Sequence, residues 1–215
     1  MKRPSKAVML FVMAKSELIN ILGNTWYIPG PVNVGVYERN GSAVLIDSGG
    51  DEEAGRQILK LTGEMGWKIA MIVNTHSNAD HIGGNRFIQK RTDCRIAATE
   101  AEAAFIRNPD LEPAFLYGGF PVSEMRSKFL MAQPSSVTDI IVADAKIAGT
   151  ELEPIPLPGH FFDMIGIRTP DDVLFLADSL FSERILEKYH VVFLYDVGSQ
   201  IETLKALSET RARDR

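Results

Sequence analysis

Several features that mark common protein classes are scarce in this chain. It has one cysteine in 215 residues, Cys94, which excludes an internal disulfide and indicates a reducing compartment. Acidic residues outnumber basic ones by 28 to 23, and the net charge of −5 provides no basic face for a nucleic-acid backbone. No apolar run approaches the roughly 20 residues that a membrane-spanning helix requires. We therefore expect a cytoplasmic protein that has neither nucleic acid nor a membrane as its partner.

The amino-terminal segment is the one feature that argues for export. Residues 1–6 are largely basic and residues 7–14 are apolar, as in a miniature signal peptide. Secretory signals are usually longer in total. We interpret the segment as a leading strand or extension and keep the cytoplasmic prediction.

The order of hydrophobic patterns predicts a mixed α/β domain. Residues 16–28, 32–38 and 43–46 are rich in valine, isoleucine and tyrosine and predict an antiparallel meander. Asp51 then begins a helix, and strands alternate with helices further along the chain. Strands are predicted at 69–73, 94–98, 140–147, 152–157, 164–168 and 173–177, and helices at 85–90, at 100–107 and from Ser199. In the last helix, Ser199 to Glu202 are predicted to form a capping box, with Ile201, Leu204 and Leu207 on the inner side.

Residues 108–136 break this regular pattern. Five positions in the segment carry proline or a glycine pair, which should interrupt any regular element, yet aromatic residues and methionines recur between them. Two interpretations stay open: a flap over the active site or a dimer contact, and a surface helix packed on its own apolar face.

Residues 75–84, Thr-His-Ser-Asn-Ala-Asp-His-Ile-Gly-Gly, carry the strongest functional signal. His76, Asp80 and His81 follow an apolar strand directly and precede a glycine pair. The strand therefore delivers three metal-binding side chains onto one tight turn, and we expect a metal site there.

This run resembles the H-x-H-x-D-H signature of the metallo-β-lactamase superfamily. Three further segments match that family's landmarks in the right order: GSAVLIDSGGD at 41–51, LPGH at 157–160 and FLADSLF at 175–181. The resemblance covers about residues 20–207. It implies a four-layer αβ/βα sandwich formed by one domain, residues 1–215, that lacks the last strand of the family and its final metal histidine. A sheet edge left unpaired in this way, or the segment 108–136, would suit a homodimer.

The resemblance also implies how the ligands are shared between two metal ions. His76 and His160 serve a first pocket, Asp80 and His81 serve a second, and Asp178 bridges them. Asp47 supports the metal turn by hydrogen bonds rather than touching the ion. One ligand position departs from the family, because Asn78 stands where the motif has its second histidine. An amide oxygen is a weak donor for zinc, so Asn78 is expected to ligate weakly or not at all.

Three functions compete on these residues. The leading one is a metal-dependent hydrolase with one or two zinc ions, in which a metal-bound hydroxide attacks a small ester, thioester, lactone or lactam and Asp80 orients the water or carries its proton. Iron or manganese could replace zinc. The second is a non-haem iron dioxygenase of the persulfide-oxidising type, since His76, His160 and Asp178 are two histidines and one carboxylate. The third is a binding or assembly protein that has lost catalysis.

Overall fold

Two β-sheets form the frame of the molecule. The computed structural model describes residues 17–127, 130–142 and 145–210, and in these ranges the larger sheet has seven strands and the smaller one has three. The larger sheet contains, in spatial order, β1 (Ile19–Leu22), β2 (Thr25–Ile28), β3 (Val34–Arg39), β4 (Ser42–Ile46), β5 (Lys68–Val73), β6 (Arg95–Ala98) and β7 (Asp139–Ile140), and the smaller sheet contains β8 (Glu153–Pro156), β9 (Ile165–Arg168) and β10 (Leu174–Phe175), with β9 in the middle.

Helices connect the strands and cover the sheets. Helix α1 begins after Asp51, whose carboxylate accepts hydrogen bonds from the backbone N–H groups of Glu53 and Ala54. Asp51 is thus the N-terminal cap, which agrees with the predicted start of the helix. The helices are α1 (Glu52–Glu64), α2 (Ala79–Ile82), α3 (Asn85–Thr92), α4 (Glu100–Arg107), α5 (Leu111–Tyr117), α6 (Glu183–Tyr189) and α7 (Val197–Glu209), and short 3-10 helices lie at Ser123–Met125 and Ala177–Ser179.

The central strands are buried on both faces because successive side chains of a strand point to opposite sides. In β4, Ala43 and Leu45 belong to a cluster with residues of α1 and α3. Ile46 faces the other way and belongs to a cluster with Ile165 and Ile167 of the smaller sheet. The helices therefore cover one face of the larger sheet and the smaller sheet covers the other, which confirms the mixed α/β sandwich. None of the helices in the described ranges has the length and hydropathy to cross a bilayer.

The segment 108–136 contains a helix, although its prolines and glycine pair predict an interrupted pattern; a helix is part of one of the two interpretations left open. Leu111–Tyr117 forms helix α5 even though Pro113 lies within it. Pro113 occupies the first turn, where a backbone N–H has no partner inside the helix. The lack of an N–H group on proline is therefore tolerated there. The leading segment 7–14 and residues 128–129 lie outside the described residues.

The last helix starts earlier and buries a different face than predicted. Asp196 caps it by accepting hydrogen bonds from the Ser199 backbone N–H at 3.1 Å and from the Ser199 hydroxyl at 2.6 Å. Ile201 and Leu204 are exposed, whereas Gln200 and Thr203 are buried. The predicted capping box and the inward placement of Ile201 and Leu204 are therefore wrong, whereas Leu207 packs inward as predicted, against the cluster that contains Leu157 and Phe161.

The reason for this choice of face lies in two polar contacts. The Gln200 amide donates to the carbonyl oxygen of Ser179 at 2.8 Å, and the Thr203 hydroxyl donates to that of Pro158 at 2.7 Å. The Pro158 carbonyl lies in the loop after β8, and the Ser179 carbonyl lies at the end of the short 3-10 helix that contains Asp178. The predicted strand at 140–147 is also shorter, since β7 ends at Ile140.

The ends of four strands meet at one edge of the sandwich. Strands β4 and β5 are parallel, so their carboxyl ends lie side by side. Strands β8 and β10 both run antiparallel to β9, so they also end at a common edge. The Ile165 backbone N–H donates to the carbonyl oxygen of Thr75 at 3.0 Å, which joins the two sheets here. The loops that follow these four strands therefore lie close together.

The glycine pair of the metal turn allows two of these loops to touch. A Cβ on Gly83 would lie 2.2 Å from the carbonyl carbon of Gly50, in the loop after β4. Backbone on both sides of this contact leaves no flexible side chain that could move away. Glycine is required here by close approach, since the φ of Gly83 is an ordinary −59°.

We predict that Gly83→Ala lowers the free energy of unfolding by at least about 1–3 kcal/mol, because the added methyl group overpacks a backbone contact. Urea unfolding measures this effect. Gly63→Ala is the matched control, because no atom lies within 4 Å of a Cβ at this helical position and alanine should leave stability unchanged or raise it by about 0.5–1 kcal/mol. Equal stability of the two variants would contradict the contact.

Candidate metal centre

Asp47, in the loop after β4, organises the turn that carries the metal-type residues. One carboxylate oxygen accepts from the Thr75 backbone N–H at 2.9 Å, and the other accepts from the Thr75 hydroxyl at 2.8 Å. That second oxygen also lies 2.8 Å from His81 Nδ1. Asp47 is buried and adopts a φ of 65°, a left-handed conformation that aspartate tolerates better than most residues. The structure thus gives Asp47 the contacts of the supporting role predicted from the sequence.

These contacts determine which nitrogen of each histidine is free. A carboxylate only accepts, so His81 Nδ1 carries the proton that it donates to Asp47. The Thr75 hydroxyl gives its proton to Asp47 and so accepts from His76 Nδ1 at 3.0 Å. His160 Nδ1 donates to the backbone carbonyl of Phe193 at 2.9 Å. In its neutral form each of the three imidazoles therefore presents Nε2 as a lone-pair donor.

The free nitrogens converge on Asp178. Ligand atoms of His76, His81 and Asp178 all lie within 4.8 Å of one another. His81 Nε2 is 3.2 Å from one Asp178 oxygen, and His160 Nε2 is 3.8 Å from the other. Asp178 follows β10 and the strained residue Ala177, whose φ is 49°, an unusual value for a residue with a Cβ.

The buried nitrogen atoms show that these residues fit a metal ion. His76 Nε2 and His81 Nε2 are buried and have no well-directed hydrogen-bond partner. An unsatisfied buried polar atom is costly, and imidazole nitrogens beside a carboxylate suit zinc and other transition metals. His76, His81, His160 and Asp178 are therefore the residues that would hold the ion.

The electrostatics of the cluster follow from burial and from opposed charges. Burial, and then the neighbouring His81, hold the pKa of His76 well below its ordinary value. Burial also lowers the pKa of His81, but the Asp47 and Asp178 carboxylates outweigh it and raise that pKa well above the ordinary value. Burial raises the pKa of Asp178. The contact with His81 and the charges of the three imidazoles outweigh burial and lower that pKa below its usual range. The cluster is thus one coupled group of charges.

Asp80 is placed differently from the other predicted ligands. Its side chain belongs to α2, is exposed and does not join the cluster of His76, His81 and Asp178. It is close enough to affect the electrostatics of His160 and Glu112. Its assignment as a ligand and catalytic group therefore stays a prediction.

Two buried glutamates near the metal turn were not identified from the sequence. Glu102 of α4 accepts from the Ser77 backbone N–H at 2.9 Å, from the Ser77 hydroxyl at 2.6 Å and from the Asp163 backbone N–H at 2.9 Å. Burial raises its pKa to about 7. Its spacing of four residues from the buried Ile106 places it on the inner face of α4, a signal that was available in the sequence.

Glu112 of α5 is the second buried glutamate. It accepts from the Asn78 side-chain amide at 2.8 Å, and burial raises its pKa to about 8. The sequence pattern did not identify this residue, because prolines interrupt the helical periodicity around α5. Asn78 itself lies next to the histidines of the candidate metal centre, since its side-chain carbonyl oxygen is 3.1 Å from His160 Nε2.

Aromatic rings line the region beside His160. Phe181 and Phe193 present T-shaped contacts to the His160 ring at centroid distances of 5.9 and 6.0 Å. Phe115 of α5 lies 5.7 Å from Tyr195. The segment 108–136 thus contributes an aromatic ring to the neighbourhood of the site, and its role as a flap or dimer contact stays a prediction.

We predict that Asp47→Asn weakens the affinity for zinc by about 10–100-fold, because the amide cannot accept from both Thr75 and His81. A competition titration with a chromogenic chelator measures this affinity. Asp93→Asn is the control, because Asp93 also has a left-handed φ, 54°, but is exposed at the end of α3. Unchanged zinc affinity in Asp47→Asn would show that the ring orientations do not depend on this carboxylate.

Comparison with known proteins connects this geometry to a family. Hydroxyacylglutathione hydrolase from Rhodopseudomonas palustris strain HaA2 is 31% identical over 144 residues, which are 66% of this chain and 45% of that protein. The protein of the same name from Nitrobacter hamburgensis is 34% identical over 131 residues, or 60% of this chain and 41% of that protein. The chain therefore spans less than half the length of these relatives.

Solved structures share the fold at low sequence identity. A subclass B3 metallo-beta-lactamase of Bradyrhizobium japonicum superimposes with a TM-score of 0.69 at 19% identity, over 91% of this chain and 74% of that one. The metallo-beta-lactamase of Legionella gormanii gives 0.70 at 14% identity, over 91% and 76%. The family model of the metallo-beta-lactamase superfamily matches residues 27–214. The matched residues include the turn after β5, the histidine after β8 and the aspartate after β10, and the solved structures share the fold. The chain therefore belongs to the metallo-beta-lactamase superfamily.

Proposed function

We propose that this protein is a metal-dependent hydrolase of small acyl compounds, with zinc as its resident ion. The observation that carries the proposal is the convergence of His76, His81 and Asp178 within 4.8 Å, with two buried Nε2 atoms that make no well-directed hydrogen bond. A divalent ion such as zinc supplies, when bound, a Lewis acid that polarises a carbonyl group and acidifies water. The relatives are hydrolases by name, which agrees with this chemistry.

The residues of the chain divide the remaining work. The histidines and Asp178 hold the ion, while Asp47 and Thr75 orient the rings of His76 and His81. Asp80, the exposed carboxylate of α2, is proposed to orient the attacking water and to pass a proton to the leaving group. One or two ions can be held by this set, and iron or manganese are the alternatives to zinc.

The surroundings of the site favour substrates with an apolar part. Phe193 and Tyr195 are partly exposed at 42% and 47%, and Phe115 is exposed at 38%. Such rings bind apolar groups and stack on planar ones. We place esters and thioesters with apolar acyl groups first, because the relatives are named for an acyl-glutathione substrate, and lactones and lactams second.

Two other exposed rings support a homodimer. Phe120, in the segment 108–136, is 78% exposed, and Tyr117 is 53% exposed. Apolar side chains grouped on a surface often mark an interface. We propose a cytoplasmic homodimer that acts on a small molecule and binds neither nucleic acid nor membrane.

The test of the hydrolase is a panel of ester, thioester, lactone and lactam substrates, assayed with the metal-loaded protein and again after chelation. We expect turnover on at least one ester or thioester that chelation abolishes and zinc restores. Turnover on none of the four classes by a protein that holds metal would overturn the proposal. Elemental analysis of the same preparation separates the alternatives, since iron with oxygen uptake indicates the dioxygenase, and less than about a tenth of an ion per chain indicates a binding protein.

A matched pair of histidine variants belongs to this test. His160→Ala should lose most of its bound metal and its turnover, because it removes a nitrogen donor beside Asp178. His190→Asn should keep both, because His190 is exposed at the end of α6. Asparagine is used there since His190 has a φ of 61°.

We predict that Asp80→Asn lowers kcat by about 100-fold or more, the range of general acid–base catalysis, while bound metal falls by a smaller factor. The physical reason is that an exposed carboxylate outside the cluster contributes more to proton transfer than to holding the ion. Activity and metal content are measured on one preparation. Glu100→Gln, an exposed acid at the start of α4, is the control. Full activity of Asp80→Asn would remove Asp80 from the mechanism.

A further inference from the structure

The two ends of the Asn78 amide have different neighbours. The amide nitrogen donates to Glu112 Oε1 at 2.8 Å. The carbonyl oxygen lies 3.1 Å from His160 Nε2. In this orientation the nitrogen faces Glu112 and the oxygen is turned toward the histidines. A deprotonated Glu112, which offers only acceptors, requires this orientation.

The contact between Asn78 and His160 brings two lone pairs together. His160 Nδ1 already donates to the backbone carbonyl of Phe193 at 2.9 Å, so Nε2 of the neutral ring carries no proton. The Asn78 oxygen is likewise an acceptor. A third acceptor, an Asp178 oxygen, lies 3.8 Å from the same Nε2. Acceptors that converge without a proton between them form a cation site.

Glu112 is held firmly enough to impose this orientation. Its side chain comes from α5, outside the metal turn, and the residue is 6% exposed. It accepts a second hydrogen bond, from the backbone N–H of Ala79. On the same helix, Phe115 contacts the rings of Phe162 and Phe193 at 4.9 and 6.4 Å, which fixes α5 against the site.

We propose that Glu112 is a positioning residue that turns the Asn78 carbonyl oxygen into the metal site, so that the site gains an oxygen donor and favours harder ions such as Mn²⁺ relative to Zn²⁺. Amide and carboxylate oxygens suit manganese better than they suit zinc, whereas imidazole favours zinc. The sequence-based expectation that Asn78 ligates weakly or not at all is the alternative that the experiment decides. The inference rests on the metal site of the proposed function.

The experiment measures affinities of the full-length apoprotein for Zn²⁺ and for Mn²⁺ by competition titration, without any activity assay. The variants are Asn78→Ala, Glu112→Ala and the double variant. We expect each single variant to weaken Mn²⁺ binding about 10-fold or more and Zn²⁺ binding less, in line with the loss of a group that supports a ligand. The double variant should match Asn78→Ala, because Glu112 acts through Asn78.

Two further variants separate positioning from a general structural effect. Asn78→His should raise Zn²⁺ affinity more than Mn²⁺ affinity, since it restores an imidazole. Glu112→Gln should recover part of the Mn²⁺ preference, because its carbonyl oxygen can still accept from Asn78. A merely structural loss would weaken the binding of both ions equally and leave the ratio of the two affinities unchanged. Glu100→Ala, on the exposed start of α4, controls for the loss of a charge.

The outcomes distinguish this inference from the proposed function. Wild-type protein that binds neither ion would overturn both. Wild-type protein that binds an ion, with an unchanged Mn²⁺ to Zn²⁺ ratio in Asn78→Ala, would overturn only the role of Asn78. Additive losses in the double variant would overturn the action of Glu112 through Asn78. The measurements on Asn78→Ala decide whether Asn78 has this role even when Glu112→Ala fails to fold.

Discussion

The hydrogen bonds of the Asp47 carboxylate are the interaction on which the site depends. One buried aspartate accepts from the backbone and side chain of Thr75 and from His81, and Thr75 passes the constraint on to His76. Two loops from neighbouring strands are thereby joined, and the free nitrogen of each ring is determined. Without this carboxylate, neutral imidazoles could rotate or exchange their protonated nitrogen, and their lone pairs would no longer converge on Asp178.

The other loops are held to this centre by polar groups from distant parts of the chain. Glu102 joins the metal turn to the loop that carries His160, through Ser77 and Asp163. Gln200 and Thr203 of α7 bind the carbonyls of Ser179 and Pro158, next to Asp178 and near His160. Each of these contacts pairs a buried polar group with a loop that regular structure leaves unsatisfied. This is the reason that a helix with an apolar stripe buries polar residues instead.

The position of Asn78 illustrates how a change in one motif residue can be accommodated. A histidine replaced by an amide would usually lower the affinity of a zinc site. Here a buried glutamate from α5 orients the amide oxygen toward His160, and the aromatic contacts of Phe115 hold that helix in place. The segment 108–136 therefore affects the chemistry of the site as well as its shape.

Local patterns in the sequence were sufficient for much of the fold. The cap at Asp51, the helix at 100–107 and the strand before His76 follow from hydrogen bonding and periodicity between neighbours in the chain. Candidate metal ligands could also be named, because ligand types at fixed spacing on one turn carry chemical meaning, and the structure brings His76, His81 and Asp178 together. Tertiary structure alone decided the roles of Glu112, Asn78 and the inner face of α7. Those roles depend on partners 20 or more residues away, such as Glu112 for Asn78 and Ser179 for Gln200, and no local pattern encodes which buried polar atoms will meet.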